Sequence, residues 1–385
     1  MTERLYYSDS HLRRFTGRVL SCREEKGRWA VTLDRTAFFP EGGGQAGDRG
    51  TLSGASVPDT RERDGEILHF CDQPLPVGEI VEGELDWPLR FARMQVHSGE
   101  HIVSGTAHRL WGCENVGFHM TEEGATLDFD RELDAEQIEE LERRANEAVW
   151  ENRVIRAFFP AAAELSALHF RQKKELSGDV RLVEVEGVDL CACCAPHVKS
   201  TGEIGLIRLT DFMRHRGGVR ITMLAGRSAY RDAADRGRDA AALSRLFSAP
   251  RDKLPQAAER LLRELEETKA ARVDAERRLT EQLLSAAPET EEALCFFLPE
   301  GLSAAAMREL AEGGTGKAAI CAVFSGDEEN RRYVIASRTE DLRVRGREIN
   351  AALHGRGGGA AGMIQGSLRA TRAEILEVFH GESIG

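Results

Sequence analysis

His97 and His101 stand four residues apart, and so do Cys193 and His197. On a helix, positions i and i+4 lie one above the other, so the first pair can grip one ion from a single face. The second pair adds a thiolate and a third imidazole. One sulfur and three nitrogens form a soft donor set that favours zinc over calcium or magnesium. Four protein ligands would close a tetrahedron, the usual state of a structural ion, whereas catalytic ions keep a position open. The sequence leaves both readings standing. Cys191 and Cys194 are alternative thiolates, though each breaks the four-residue step to His197.

Elements must bring these two half-sites together. Residues 17–22 and 28–33 alternate in the strand manner across a Glu-Lys-Gly turn, and further short strands over 67–70 and 79–85 complete a small β-barrel. Pro88 suits a first helical turn, and Phe91, Met94, His97, Ile102 and His108 then place a helix up to about Trp111. Asp134 is the expected N-cap of a second helix whose apolar face is Ile138, Leu141, Ala145 and Val149. Strands are expected over 125–129, 181–185, 204–209 and 219–224, an α+β arrangement around the ligands. Leu254, Ala258, Leu261, Leu265, Ala275 and Leu279 approximate a heptad seam on a long helix closed by Pro288. Beyond it, strand-like runs at 293–298, 318–324 and 333–337 alternate with helices, as in a small α/β domain.

Composition bounds the rest. A chain of 385 residues, 41% apolar and 30% charged, has room for two or three packed domains. No apolar run reaches the ~20 residues of a membrane span, and the first residues lack the apolar core of a signal peptide. A cytoplasmic protein with no membrane partner is therefore expected. The isolated Cys22, Cys71, Cys113, Cys295 and Cys321 read as buried free thiols. A net charge of −12 argues against general nucleic-acid affinity, yet residues 206–238 carry eight Arg against three Asp. A polyanion could dock there, a few residues after His197.

The glycine-rich stretch Thr36-Ala37-Phe38-Phe39-Pro40-Glu41-Gly42-Gly43-Gly44-Gln45-Ala46-Gly47-Asp48 needs a separate reason. Three consecutive glycines permit positive φ and let backbone N–H groups approach a ligand closely.

These motifs in this order resemble the editing domain shared by alanyl-tRNA synthetases and the free-standing AlaX editing proteins. His97-x3-His101 and Cys193-x3-His197-Val198 match its two half-sites. Residues 36–48 match its T-x-F-Y-x-x-G-G-G-Q-x-x-D segment. Arg216-Gly217-Gly218-Val219-Arg220-Ile221 resembles its R-G-x-x-R-I strand. Gly355-Arg356-Gly357-Gly358-Gly359 through Met363-Ile364-Gln365-Gly366 resembles the DHHA1 domain that ends the synthetases. With no room ahead of the barrel for aminoacylation domains, the chain resembles an editing module acting alone, in the long AlaX form.

The resemblance implies a multidomain α+β fold. Its parts would be a β-barrel domain (residues 1–88), a zinc-binding editing domain (89–235), a linking coiled-coil helix (236–287) and a DHHA1-like α/β domain (288–385). It further implies hydrolysis of mischarged tRNA(Ala), Ser-tRNA(Ala) first and Gly-tRNA(Ala) second. One zinc ion per chain would be held by His97, His101, Cys193 and His197. Gln45 and Gly42, Gly43 and Gly44 would line the pocket, Thr36 would meet the seryl hydroxyl, and Arg216 and Arg220 would face the substrate. A homodimer through the long helix and last domain is expected. Two departures bear on substrate range more than on fold. Ala195-Pro196 replaces Gly-Thr before the last histidine, and Phe39 replaces Tyr.

Two other classes remain. A non-catalytic zinc protein could bind RNA through the Arg-rich segment and would protect a mischarged tRNA rather than deacylate it. The His97-x-x-Glu100-His101 spacing also fits one metallopeptidase class with Glu100 as base. That class needs a third carboxylate ligand the sequence does not mark, and it leaves Cys193 and His197 without a role.

Overall fold

The computed structural model describes residues 2–121, 123–172, 180–380 and 382–384, so that Met1 and Gly385 lie outside it. The chain divides into two compact units, Met1–Ala242 and Leu243–Gly385.

The first unit opens with a seven-stranded antiparallel sheet. Its neighbours run Ala55–Val57, Gly50–Leu52, Ile80–Leu85, Arg14–Glu25, Arg28–Leu33, Glu66–Cys71, Asp59–Arg63. Alternation decides the faces: Phe15, Val19, Val81 and Leu85 turn inward with Leu33, Phe38 and Leu52, while Thr16, Arg18, Glu82 and Glu84 face water. Helix α1 (Trp87–Trp111) follows directly. The Asp86 side chain accepts from Leu89 N–H at 3.2 Å, Pro88 fits the first turn, and Gly112 ends the helix at φ +62°. Residues from Met94 to Ala107 on α1 are almost all buried, because sheets close around it.

One of these is four-stranded, in the order Asn115–Met120, Ala125–Phe129, Gly218–Ala225, Ile207–His215; another is three-stranded, Ile155–Phe158, Leu182–Val185, Asp189–Ala192. Helix α2 (Ala135–Trp150) carries a reciprocal capping box between Asp134 and Gln137 and buries Ile138, Leu141, Ala145 and Val149, as its periodicity requires. The strand expected over 204–209 is corrected. Thr201–Ile204 is a 3₁₀ turn, Gly205 adopts φ +82°, and the strand begins at Ile207. There Asn146 of α2 holds both Ile207 backbone groups, at 2.9 and 2.8 Å. A glycine in the left-handed region breaks the run of apolar residues that reads as strand.

In the second unit helix α3 (Leu254–Ala286) precedes a six-stranded mixed sheet. Its order is Arg356–Ala360, Met363–Leu368, Arg331–Ser337, Ile320–Ser325, Leu294–Leu298, Glu382–Ile384. Leu294, Phe296, Leu310, Val323 and Ile335 are among the fully buried side chains of this unit. Leu261, Leu262, Leu265 and Leu279 remain exposed along α3. No helix among the described residues is long and apolar enough to cross a membrane.

Candidate metal and acyl-ester site

Cys193 lies just beyond the strand Asp189–Ala192, opposite the inner face of α1. Its Sγ is 3.5 Å from His97 Nε2 and 3.3 Å from His197 Nε2. The donor atoms of His97, His101, Cys193 and His197 all lie within 4.8 Å of one another, and the three histidines are buried. Tetrahedral zinc with sulfur and nitrogen bonds of ordinary length sets neighbouring donors about 3.6 Å apart, so this group could hold such an ion.

Each imidazole is turned by its other nitrogen. His97 Nδ1 donates to Gln45 Oε1 at 3.0 Å, His101 Nδ1 to Asp189 Oδ2 at 2.9 Å, and His197 Nδ1 to Ser98 Oγ at 3.1 Å. With Nδ1 engaged in this way, each ring in its neutral form leaves Nε2 for a cation, the arrangement metal-binding histidines need. Arg171 clamps Asp189 through two bonds of 2.7 and 2.8 Å. Gly105 makes this approach possible, because a Cβ there would meet Asp189 Cβ at 2.7 Å. Asp189→Asn is expected to keep the fold but weaken metal retention ~10- to 100-fold, read by chelator competition; an unchanged affinity would deny Asp189 this role.

The electrostatics follow from crowding. Burial by itself raises the Cys193 thiol, but the charges of His97 and His197 and hydrogen bonds from His101 and His197 hold it well below the ordinary range. Burial lowers His197 to about 3. For His101 burial is opposed, and outweighed, by its bonds to Asp189 and Cys193, which raise it to about 10. A thiolate is thereby stabilised among imidazoles before any cation arrives.

The glycine-rich segment forms one wall. Gly42 and Gln45 exchange two backbone bonds of 3.0 Å around Gly43 and Gly44, whose φ values of +61° and +83° suit a type I′ turn. A Cβ on Gly44 would lie 2.8 Å from the Phe118 ring, which itself packs 5.0 Å from His97. Gln45 is 1% exposed; its Oε1 is held by His97, and its Nε2 has no partner.

The remaining expected residues sit elsewhere. Thr36 is fully buried and bonds His69 Nε2 at 2.8 Å. His69 Nδ1 faces the Val31 carbonyl at 3.0 Å, so it must carry the proton. Burial lowers His69 to about 4, leaving Nε2 as an acceptor for the Thr36 hydroxyl, whose oxygen also accepts Phe38 N–H. Arg220 pairs with Asp128 across neighbouring strands at 2.6 and 2.7 Å, and Arg216 occupies an exposed turn at φ +50°. Neither meets the Cys193 cluster. Glu100 Oε1 accepts from Ser104 and Asn115, both at 2.7 Å. Asp189, Ser98, His69 and Arg171 escape sequence reasoning. Only the adjacency of Ser98 to His97 and of Asp189 to the cysteine cluster offered a signal.

A family profile for the second additional domain of threonyl- and alanyl-tRNA synthetases matches residues 180–222, the stretch bearing Cys193 and His197. The matched profile thus describes a synthetase-associated domain and spans the second pair of candidate ligands. More particularly, the chain is a relative of the AlaX-type alanyl-tRNA editing proteins. It is 35% identical over 223 residues to alanyl-tRNA editing protein AlaX-L of Pyrococcus horikoshii, covering 56% of this chain and 55% of that one. It is 31% identical over 299 residues to the alanine–tRNA ligase of Ignicoccus hospitalis, covering 74% of this chain and 33% of the ligase. With the Pyrococcus furiosus ligase it shares 35% over 283 residues, covering 70% and 30%. The chain thus spans about half of AlaX-L and about a third of these ligases. Superposition on the C-Ala domain from Aquifex aeolicus alanyl-tRNA synthetase covers 25% of this chain and all of that domain at 22% identity; its TM-score of 0.21 is too low to argue from.

Proposed function

We propose that the chain hydrolyses the ester of mischarged tRNA(Ala), with Ser-tRNA(Ala) as first substrate and Gly-tRNA(Ala) as second. His97, His101, Cys193 and His197 would hold one zinc ion, which supplies positive charge to orient and polarise the aminoacyl end. The observation that carries the reading is Gln45. Leaving a buried donor unpaired costs ~1–3 kcal/mol, and the Gln45 amide is kept so beside the histidines, with its oxygen fixed by His97. Such a donor suits the carbonyl oxygen as it becomes an oxyanion: water adds to the carbonyl carbon and the ribose hydroxyl departs with a proton. Gly42, Gly43 and Gly44 shape the wall that holds Gln45 there.

Thr36 would favour serine as the first substrate. Its proton goes to His69 and one lone pair to Phe38, so the other lone pair can only accept. A seryl hydroxyl would donate to it and an alanyl methyl could not. Arg216 and Arg220 would act on the tRNA side, Arg220 from a strand where Asp128 fixes it.

Metal removal tests the reading. Chelation should slow serine release from Ser-tRNA(Ala) at least ~100-fold, and zinc should restore it. Undiminished hydrolysis by the metal-free protein would refute the role of zinc, and a zinc-loaded protein that bound and protected the ester would be the RNA-binding module instead. A peptidase would use Glu100 as its base, but Glu100 Oε1 is engaged by Ser104 and Asn115.

The first seven-stranded sheet is taken as the barrel of this editing module, and the region after α3 as its DHHA1-like part. We further propose a homodimer through the exposed leucines of α3, in a cytoplasmic protein. A monomeric mass in solution, unchanged by truncation after Pro250, would exclude the dimer.

A further inference from the structure

Four aromatic rings form a chain from the glycine-rich segment to solvent. Phe39, buried just before Pro40, meets Tyr6 at 5.5 Å and 90°; Tyr6 meets Tyr7 at 4.7 Å and 71°; Tyr7 meets Phe159 at 5.5 Å and 72°. Phe159, just beyond the strand Ile155–Phe158, is 51% exposed. A single exposed phenylalanine needs no explanation. This one ends an ordered edge-to-face series whose other end supports the turn that carries Gln45.

The series is also tied to the ligand loop. Arg181 lies 5.0 Å from the centroid of the Tyr7 ring and donates to the carbonyls of Cys193 and Ala195, both at 2.9 Å. Ala195 packs into the same cluster as Tyr6 and Phe39, with Tyr7 and Cys193 against it. Exposed Cys194 lies between this cluster and the glycine turn, since a Cβ on Gly43 would sit 3.4 Å from its Sγ. The outer rings are thus held in fixed relation to Cys193 and Gln45.

We propose that Phe159, held edge-to-face by Tyr7, forms the stacking platform for the terminal, unpaired base of the RNA that carries the aminoacyl ester. The inference rests on the deacylase reading. An aminoacyl ester sits on the ribose of a terminal nucleotide, so a site that holds the ester at Gln45 must place that nucleotide's base immediately outside. Unpaired bases are taken up on aromatic faces without sequence preference, each stack contributing ~1–3 kcal/mol. The backbone of the ligand loop and the inner rings are in place before binding, so only the exposed Phe159 ring needs to receive the RNA.

The test compares the full-length chain with Phe159→Ala and Phe159→Leu, an exposed position whose change leaves the core intact. The first probe is uncharged, CCA-ended single-stranded RNA, whose binding does not depend on hydrolysis. Both variants should bind it about 5- to 150-fold more weakly, the range those stacking energies set, and Phe159→Trp should bind as the wild type does. The second probe is serine esterified to adenosine against serine esterified to a ribose without a base. Wild type should prefer the adenosine ester, and Phe159→Ala should lose that preference while keeping its metal content. Equal RNA affinity and an equal preference in wild type and Phe159→Ala would overturn the platform. If wild type hydrolysed neither ester nor Ser-tRNA(Ala) yet bound RNA through Phe159, the deacylase reading would fall and the platform would stand.

Discussion

Replacing Cys193 by alanine should empty the metal site and lower Ser-tRNA(Ala) deacylation by at least ~100-fold. The sulfur is the point on which the site converges, within 3.5 Å of His97 Nε2 and 3.3 Å of His197 Nε2. Without the thiolate, three buried imidazoles face one another, and a bound cation would bring its charge into a buried site with no anion among its ligands. The histidines should remain in place, because Gln45, Asp189 and Ser98 hold their Nδ1 atoms independently of the metal. The expected outcome is therefore a folded protein with little zinc, measured by metal analysis beside far-ultraviolet circular dichroism. A Cys193→Ala protein that kept one zinc per chain and its activity would transfer the ligand role to another residue, Cys191 or Cys194 first.

Arg90→Met should be the most destabilising single change in the first unit, by ~3–5 kcal/mol. Arg90 and Asp48 are each 1% exposed and ion-paired. Arg90 Nε meets Asp48 Oδ2 at 2.8 Å, and its Nη2 reaches the Ala37 carbonyl at 2.6 Å, while Asp48 also accepts Phe39 N–H at 2.7 Å. These bonds fasten both ends of the glycine-rich segment to α1, two turns before His97, so they set Gln45 against its histidine. Removing the guanidinium alone strands a buried carboxylate. Arg90→Met with Asp48→Asn should recover part of the loss, because the amide still accepts from Phe39 without a buried charge. Urea unfolding of the three proteins decides the matter; a double variant no more stable than Arg90→Met would show that the pair's charge is not what stabilises the segment.

What the sequence reveals here is what local geometry encodes. The i, i+4 step of His97 and His101, the caps of α1 and α2, and the alternating strands of the first sheet depend on neighbours within a few residues. The partners of the ligands do not. Asp189 reaches His101 across 88 positions only because Gly105 lets its strand press against α1. His69 sits in a strand where any apolar residue would satisfy the pattern, yet it decides which way the Thr36 hydroxyl points. Arg220 reads as a free basic residue until the register opposes it to Asp128 on the neighbouring strand. The run at 204–209 misleads because one glycine with positive φ ends a pattern that hydrophobicity alone would continue.

The most direct measurement is single-turnover release of serine and of alanine from tRNA(Ala) by the zinc-loaded wild-type chain. The proposed function predicts rapid loss of serine and near-complete survival of alanine, since Gln45 would serve both esters whereas Thr36 would accept only from the seryl hydroxyl. Equal rates for the two would remove Thr36 from specificity, and no release of either, with the RNA bound, would contradict the deacylase itself.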